Sequence, residues 1–410
     1  MKLPHYMSGA IRLRTAILLA GCVAMSGAEV SQQARTLHNR ALVFDAHIHA
    51  VDRIFYHGGD IGERKRDGQF DLPRAREGGL DALFFSIFVT EDYYPARCET
   101  RQALRMLDTA LSQIAKNSGT IALARNGADV ERIVGRGKIA ALLDVEGSFD
   151  LDGDPGVIRD LYRLGVRSLQ LSAHNWASNY ADSCCSPPKW GGLNERGREV
   201  IREMNRLGMV INVSHASDDA ISQAVDLSSD PVIATHHGLR YFNDIPRNMP
   251  DWLAKKIAAK GGVIGFQIGN DFHNRKAFDY RTAHAGKPFW DTKDILARGA
   301  RLSIYEIDKI VAPQFPMAPF DIPDEIRMTV DDWVAVVDHA IRLIGEDHVA
   351  LGTDFDGGPP PPRGMRDVSD LPLITEAMLR RGYSEGRIRK FLGGNLLRVV
   401  RQITNKQPVL

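Results

Sequence analysis

Eight stretches of mostly apolar residues recur along this chain, and six of them end on a side chain that can bind a metal or transfer a proton. These six are ALVFDAHIH, IAALLDVEG, SLQLSAH, MVINVSH, VIATH and HVALGTDFD. Two more, ALFFSIFV and GGVIGFQIG, have the same apolar character without such an ending. Because segments long enough for a helix separate most of them, the pattern predicts repeated strand-then-helix units. Eight such units predict a (β/α)₈ TIM barrel, whose chemistry lies at the C-terminal ends of the strands.

Composition and charge fit one enzyme-sized domain. The chain has 410 residues, of which 44% are apolar and 25% charged, as in soluble globular proteins that bury a large core. A formal net charge of +1, from 52 basic and 51 acidic residues, gives no overall field for attracting nucleic acid or anionic lipid. We therefore predict a single barrel domain over residues 29–410 and no nucleic-acid partner.

The first 28 residues have the character of an export signal. Three basic residues precede the apolar stretch AILLAGCVAM, which is too short to span a membrane. Within it, Leu19-Ala20-Gly21-Cys22 resembles the bacterial lipobox, which predicts lipidation of Cys22. Ordinary cleavage after Ser26-Gly27-Ala28 is the alternative, with Cys22 as one apolar residue of the signal. The segment predicts an exported bacterial protein, either periplasmic or an outer-membrane lipoprotein.

Three further cysteines, Cys98, Cys184 and Cys185, would then lie in a compartment that permits disulfides. One bridge from Cys98 to either member of the adjacent pair is expected, with the third thiol unassigned. None of the three belongs to a C-x₂-C motif, so a cysteine metal site is not expected.

Histidines and one glutamate form the candidate metal site. His47 and His49 are two apart on a predicted strand, so both imidazoles face the same side. Glu146 follows an apolar run, where an unpaired carboxylate would be costly and a metal would remove the cost. His215 and His236 end two further runs, and neutral imidazole is the commonest metal ligand. Any one of these histidines alone would be read as a core residue; together they indicate a metal site.

Four histidines and one glutamate fit two divalent ions, with Glu146 bridging them and a hydroxide held between. Nitrogen and oxygen ligands favour zinc, while manganese, cobalt and iron are compatible. Such a pair of ions supplies both the nucleophile and the electrophile for hydrolysis.

A carboxylate after the last run is the candidate acid/base. Asp354 and Asp356 lie in GTDFDGG, and glycines after Asp356 indicate a turn there. We assign proton transfer from the attacking water to the leaving amine to Asp354. The other aspartate is then expected to cap a loop.

Several longer stretches resemble one known family, the membrane (renal) dipeptidase family, peptidase family M19, among the amidohydrolase-type barrels. They cover roughly residues 40–275 and 328–402, and they are FDAHIH, FDLPRAREGGLDALFFSIFV, LLDVEG, LQLSAHN, GLNERGREVIREMNRLGMVINVSHAS, PVIATHHG, PRNMPD, GTDFDG and LRRGYSEGRIRKFLGGNLLRVV. The resemblance implies dipeptide substrates, some with a D-residue at the C-terminus, and a homodimer.

The resemblance also implies roles for individual residues. Glu146 is similar to the bridging carboxylate, His215 and His236 to the ligands of the second zinc, and His47 to a ligand of the first. His174 resembles the histidine that binds the scissile carbonyl oxygen as charge develops on it. Arg247 resembles the arginine that binds the substrate's terminal carboxylate. Without the resemblance, Arg240 would be an equal candidate for that role.

Two departures from the family pattern stand out. The family usually has His-x-Asp where this chain has His47-Ile48-His49, which raises the charge of the site by about one unit and should weaken the hold on the first metal. Residues 275–327 also look inserted between the seventh and eighth barrel strands. Such a loop borders the active site as a lid, contacts a neighbouring subunit, or is a surface excursion. Its Phe289 and Trp290 either line a pocket or pack within the insertion.

The sequence thus predicts an exported metallopeptidase that hydrolyses dipeptides. Two alternatives stay open at this point: an amidohydrolase acting on N-acyl amino acids or lactams, and a catalytically silent, lipid-anchored barrel.

Overall fold

The predicted barrel is confirmed. The structure, a computed structural model, describes residues 30–89, 98–147, 150, 152–284, 302–315 and 318–406. Its strands are β1 (Phe44–Ile48), β2 (Ala82–Phe88), β3 (Ile121–Leu123), β4 (Ile139–Glu146), β5 (Val166–Gln170), β6 (Val210–Asn212), β7 (Ile233–His237), β8 (Val263–Phe266) and β9 (Val349–Leu351). Eight of them follow one another in the order β1-β2-β4-β5-β6-β7-β8-β9, and β3 adds to the outer side of this path by pairing with β4. All eight apolar runs of the sequence form barrel strands.

Helices alternate with the strands along the described chain. The α-helices are Gln32–Arg40, Ala50–His57, Leu72–Glu77, Glu99–Lys116, Gly127–Val134, Pro155–Leu164, Glu195–Leu207, Asp218–Leu227, Asp251–Ala259, Asn270–His273, Arg275–His284, Ile304–Val311, Val330–Ile344, Pro372–Arg380, Glu385–Arg389 and Asn395–Thr404. Short 3₁₀ helices cover Ala312–Gln314 and Val368–Asp370, and a π-helical turn covers Lys390–Gly394. None of the helices among these described residues is both long and apolar enough to cross a membrane.

The eight strands of this path are parallel and buried on both faces, which explains their continuous apolar sequences. Beyond the last strand, the chain closes the barrel through backbone bonds to β1. The His49 amide donates to the Phe355 carbonyl over 2.9 Å, and the Asp354 amide donates to the His47 carbonyl over 3.0 Å. This closure brings the two ends of the described barrel together at the predicted site.

The opposite end of the barrel is filled by apolar side chains. Residues at the starts of strands, including Phe44, Val210 and Val263, cluster with one face of the helix Asn395–Thr404. Leu396 and Val399 of that helix are fully buried in this cluster. This packing leaves the C-terminal ends of the strands for the predicted site residues.

A buried histidine far from this site should make folding stability depend on pH. The Nε2–H of His38 donates to the Gly78 carbonyl over 2.8 Å, and Nδ1 lies 2.7 Å from the Thr375 hydroxyl. Burial lowers the pKa of His38 from 6.5 to about 4. As the pH falls, His38 therefore takes up a proton at a higher pH in the unfolded chain than in the folded chain. The stabilisation that is present above pH 6.5 is lost as the pH falls towards 4.

We expect the variant His38→Gln to have a flatter stability profile than the wild type. Between pH 7 and 4, the wild type should lose up to about 3 kcal/mol more unfolding free energy than the variant. Urea unfolding at several pH values measures this difference, and contributions from the other histidines cancel between the two proteins. Parallel profiles would contradict the assignment.

Candidate metal centre and substrate pocket

The predicted site residues converge at one end of the barrel. His47, Glu146 and His236 lie within strands β1, β4 and β7, and the others follow shortly after strand ends. Those that follow are His49, His174, His215 and Asp354. All of these side chains except His47 line one cavity of about 280 Å³, and His47 lies beneath it, fully buried.

The first group of ligand atoms surrounds one carboxylate oxygen of Glu146. Its Oε2 lies 2.8 Å from Nε2 of His47 and 3.0 Å from Nε2 of His49. The two imidazole nitrogens are 3.0 Å apart, and Oδ1 of Asp354 is 3.2 Å from Nε2 of His49. His47, His49 and Asp354 form one group of potential ligand atoms within 4.8 Å of one another, and His47 also groups with Glu146 and His236.

A second group surrounds the other oxygen of the same carboxylate. Oε1 of Glu146 lies 3.0 Å from Nε2 of His215 and 3.6 Å from Nε2 of His236, and these nitrogens are 3.0 Å apart. Nε2 of His174 is 3.9 Å from the same oxygen. Glu146 therefore lies between two histidine pairs, with one oxygen facing each.

The hydrogen bonds behind the imidazoles suit metal ligation. Nδ1 of His215 faces Oδ1 of Asn175 at 3.1 Å, and Nδ1 of His49 faces Oδ2 of Asp52 at 3.2 Å. Both partners accept hydrogen bonds, so each imidazole carries its proton on Nδ1 and presents the lone pair of Nε2 to the cluster. Converging lone pairs beside a carboxylate fit a divalent cation, which is the group that this donor set is suited to hold.

The electrostatics of the site favour a bound cation. Burial alone would raise the pKa of Glu146, but His47, His49 and the bond from His215 hold it well below its usual value. Burial lowers the pKa values of His215 and His236 well below 6.5, so both imidazoles are neutral and able to ligate. For His49, burial is outweighed by Glu146, Asp354 and Asp52, which raise its pKa well above 6.5. These carboxylates attract a positive charge, and a metal ion would replace that proton.

Asp354 and Asp356 have different surroundings. Asp354 points into the cluster, and Nε2 of Gln267, the residue after β8, donates to its Oδ2 over 3.0 Å. Asp356 instead accepts from Nε of Arg53 over 3.2 Å and from the Gln69 amide. The side chain of Asp354 thus lies at the candidate ligand cluster, whereas the side chain of Asp356 holds a neighbouring loop.

Backbone conformation at the site is unusual. Four non-glycine residues in the described chain have left-handed φ values, and three of them are predicted site residues: His174 at 52°, His215 at 65° and Asp354 at 62°. Such conformations cost about 1–3 kcal/mol each and concentrate at functional sites. A Cβ at Gly357 would collide with the Asp354 carboxylate, so only glycine permits this close approach.

Arg247 and Arg240 have different surroundings. Arg247 lines the cavity, and its Nη2 donates to the His236 carbonyl over 2.8 Å. Its Nε and Nη1 are buried without a hydrogen-bond partner among the described residues. Arg240 is already paired with Asp218, over 2.7 and 2.9 Å. Two unsatisfied guanidinium donors facing a cavity form a site for an anion.

The insertion supplies part of the cavity wall. Phe278 and Arg281 come from the helix Arg275–His284, and Phe315 follows the 3₁₀ turn near residue 314. Arg281 pairs with Asp271, whose carboxylate also lines the cavity. The insertion thus borders the candidate site, as the lid hypothesis expects. The two aromatic residues singled out in the sequence, Phe289 and Trp290, lie outside the described residues.

Sequence reasoning missed several wall residues. Phe88 ends β2, pairs in register with Glu146, and contacts the rings of His49 and His174 at 5.5 and 4.7 Å. Its position at a strand end was the signal that could have found it. Phe278 and Phe315 carried no comparable signal, because they lie in a loop whose path the strand pattern does not determine.

The expected bridge from Cys98 is wrong. Cys184 and Cys185 are joined to each other, and Cys98 is a free thiol that precedes the helix Glu99–Lys116. The Cys184 amide donates to the His215 carbonyl over 2.8 Å, which fixes the adjacent pair beside the site, and Cys185 lines the cavity. Pairing of the two neighbours leaves Cys98 as the free thiol among the cysteines in the described ranges.

Known proteins similar to this chain are dipeptidases. A family model described as "Membrane dipeptidase (Peptidase family M19)" matches residues 31–409. Dipeptidase tcpJ of Claviceps purpurea (strain 20.1) is 31% identical over 344 residues, covering 82% of this chain and 69% of that protein. Dipeptidase 3 of Mus musculus is 28% identical over 341 residues, covering 82% of this chain and 58% of that protein.

Solved structures share the fold of this chain. The probable dipeptidase PvdM from Pseudomonas aeruginosa superposes with a TM-score of 0.74 at 25% identity, covering 91% of this chain and 98% of that one. A metallo peptidase from Rhodobacter sphaeroides, solved with a phosphinate mimic of the dipeptide L-Ala-D-Ala, gives a TM-score of 0.70 at 23% identity, covering 89% and 99%. With the family model covering nearly the whole chain, the protein belongs to the membrane dipeptidase family, peptidase family M19, and is a metal-dependent dipeptidase.

Proposed function

We propose that this chain hydrolyses dipeptides with two zinc ions held by His47, His49, His215 and His236 and bridged by Glu146. The observation that carries the proposal is the position of Glu146, whose two oxygens face separate histidine pairs at 2.8–3.0 Å and 3.0–3.6 Å. A carboxylate with one oxygen directed at each of two ligand groups suits two cations better than one.

Bound cations would lower the pKa of a shared water molecule and polarise the peptide carbonyl, the two activations that hydrolysis requires. Asp354 takes the proton from the attacking water and delivers it to the leaving amine. Gln267 supports this role by holding Oδ2 of Asp354, which leaves Oδ1 directed at the ligand cluster. The carboxylate thus stays near both proton donor and acceptor.

His174 stabilises the tetrahedral intermediate. Its imidazole faces the cavity, and its Nε2 lies 3.9 Å from Glu146 Oε1. Burial lowers the pKa of His174 to about 4, so a neutral imidazole with an N–H donor is present at neutral pH. Such a donor strengthens its hydrogen bond as negative charge develops on the carbonyl oxygen.

Arg247 binds the terminal carboxylate of the substrate through its two unpartnered donors. Phe88, Phe272 and Phe278 limit water access around the reacting bond. A cavity of about 280 Å³ with a fixed anion site suits a short substrate with a free carboxylate.

The proposal is tested with the protein lacking residues 1–28, after chelation and with or without added zinc. The panel contains L,L and L,D dipeptides, because a related metallo peptidase was solved with a mimic of L-Ala-D-Ala. We expect zinc to restore cleavage, and cleavage to require a free α-amino group. N-acetylated amino acids and lactams serve as comparison substrates.

Cleavage of N-acetyl amino acids without cleavage of dipeptides would overturn the proposal in favour of another amidohydrolase. Absence of any tight zinc site would instead support a catalytically silent barrel. Zinc content and turnover therefore separate the three hypotheses.

We also propose export of this enzyme in a bacterium, with a signal within residues 1–28 that ends before Cys22 and lipidation of Cys22 as the mature N-terminus. This segment lies outside the described residues, so the proposal depends on the amino-acid sequence alone.

A further inference from the structure

One predicted ligand, His49, has a carboxylate directly behind it. Oδ2 of Asp52 lies 3.2 Å from Nδ1 of His49, and Asp52 is fully buried. Asp52 lies in the first turn of the helix Ala50–His57, three residues after His49. The carboxylate therefore contacts the imidazole from the helix that directly follows β1.

Asp52 is fixed at both of its oxygens. Oδ1 accepts a hydrogen bond from the Phe88 amide at the end of β2, over 3.1 Å, while Oδ2 faces His49. The carboxylate is thus attached to the barrel backbone on one side and to a ligand on the other. A buried charge held in this way keeps its position relative to the cluster.

The other three histidine ligands have different partners. Nδ1 of His215 faces the neutral amide of Asn175, and Nδ1 of His236 lies 3.0 Å from the hydroxyl of Thr235. Nδ1 of His47 has no hydrogen-bond partner among the described residues, with Asp144 at 3.7 Å. Among the four, His49 alone has a carboxylate within hydrogen-bonding distance of Nδ1 in the described chain.

His49 is also the position where this chain departs from the His-x-Asp pattern. An imidazole in place of a ligand carboxylate removes one negative charge from the first group of ligands. An imidazole whose N–H is bonded to a carboxylate is a more basic ligand than a free one. The negative charge that is missing at the ligand position is therefore present on Asp52, which contacts the ligand His49.

We propose that Asp52 is a positioning residue for the first metal: it fixes the tautomer of His49 and supplies the negative charge that a ligand carboxylate would otherwise provide. This inference rests on the proposed function, because it requires a metal at His47 and His49. Asp52 would thereby offset the weaker metal binding that the change from His-x-Asp to His-x-His alone implies.

The test compares zinc affinities, measured by competition with a chelator, for the wild type, Asp52→Asn, His49→Asp and the double variant. We expect Asp52→Asn to weaken one of the two zinc sites roughly 10- to 100-fold and to leave the other unchanged. In the His49→Asp background the same substitution should cause no loss, because no imidazole remains for Asp52 to orient.

Asp71→Asn is the matched control. Asp71 is also fully buried and caps the helix Leu72–Glu77, but it pairs with Arg74 and contacts none of the ligands. Its loss should lower the Tm and leave both zinc affinities unchanged. If Asp52→Asn folds poorly, Asp52→Glu tests the same point, since it keeps the charge and should retain zinc affinity within roughly 10-fold of the wild type.

Unchanged zinc affinity in Asp52→Asn, or an equal loss in both backgrounds, would overturn the inference. So would an Asp52→Glu variant that folds but loses one of the two zinc sites. Zinc binding without dipeptide cleavage in the wild type would reject the proposed function and leave the role of Asp52 standing. A wild type that binds no zinc would reject both.

Discussion

The variant Asp354→Asn should lose nearly all turnover while keeping its metal ions. Asn cannot accept the proton of the attacking water, and general acid–base catalysis typically contributes about 10²- to 10⁴-fold to the rate. We therefore expect kcat to fall by roughly that factor with KM little changed. Steady-state kinetics together with metal analysis of the purified variant measure both effects.

Asp356→Asn provides the matched control. This aspartate is two residues away and equally buried, but it faces Arg53 and Gln69 instead of the ligand cluster. Its substitution should lower stability and leave kcat within a few-fold of the wild type. Near-normal turnover in Asp354→Asn would reject Asp354 as the acid/base.

The variant Arg247→Gln should lose affinity for substrates that carry a free terminal carboxylate. Removing one partner of a buried charge pair costs about 2 kcal/mol or more, which corresponds to a KM increase of roughly 30-fold. The loss should disappear for dipeptide amides, which have no carboxylate to bind. Kinetics with each dipeptide and its amide give the comparison.

Arg240→Gln is the control for this experiment, because Arg240 is paired with Asp218 and does not line the cavity. It should show the wild-type preference for free carboxylates. A wild-type preference in Arg247→Gln as well would mean that another cation, such as Arg281, binds the carboxylate.

The eight barrel strands could be predicted because parallel strands in a barrel are buried on both faces and leave long apolar runs in the sequence. The short strand Ile121–Leu123, which pairs with β4 alone among the described strands, was missed. Its middle and last residues are partly exposed, so it carries no continuous apolar signal.

The ligand cluster could be predicted for a related reason. Strand ends meet at one rim of a barrel, so His47, Glu146 and His236 had to approach one another once their strands were identified. Gln267 directly follows β8, so its strand-end position could have indicated it as well. Asp52 could not be identified in this way, because its contacts depend on how a helix packs against the strands, which periodicity does not specify.

The pairing of cysteines was predicted wrongly because a bridge between sequence neighbours was not considered. Cys184 and Cys185 lie in the loop that follows β5, and backbone bonds to His215 position that loop. Which sulfurs meet there depends on the local path of the chain and not on spacing in the sequence.

Insertion residues in the wall of the cavity have an evolutionary consequence. The proposed metal ligands lie in or just after β1, β4, β6 and β7, whereas Phe278, Arg281 and Phe315 come from the segment between β8 and β9. Lengthening, shortening or replacing that segment would reshape the surface that meets the substrate's side chains without moving the metal ligands. Descendants of this barrel could therefore acquire new dipeptide preferences by exchanging one loop while inheriting the same chemistry.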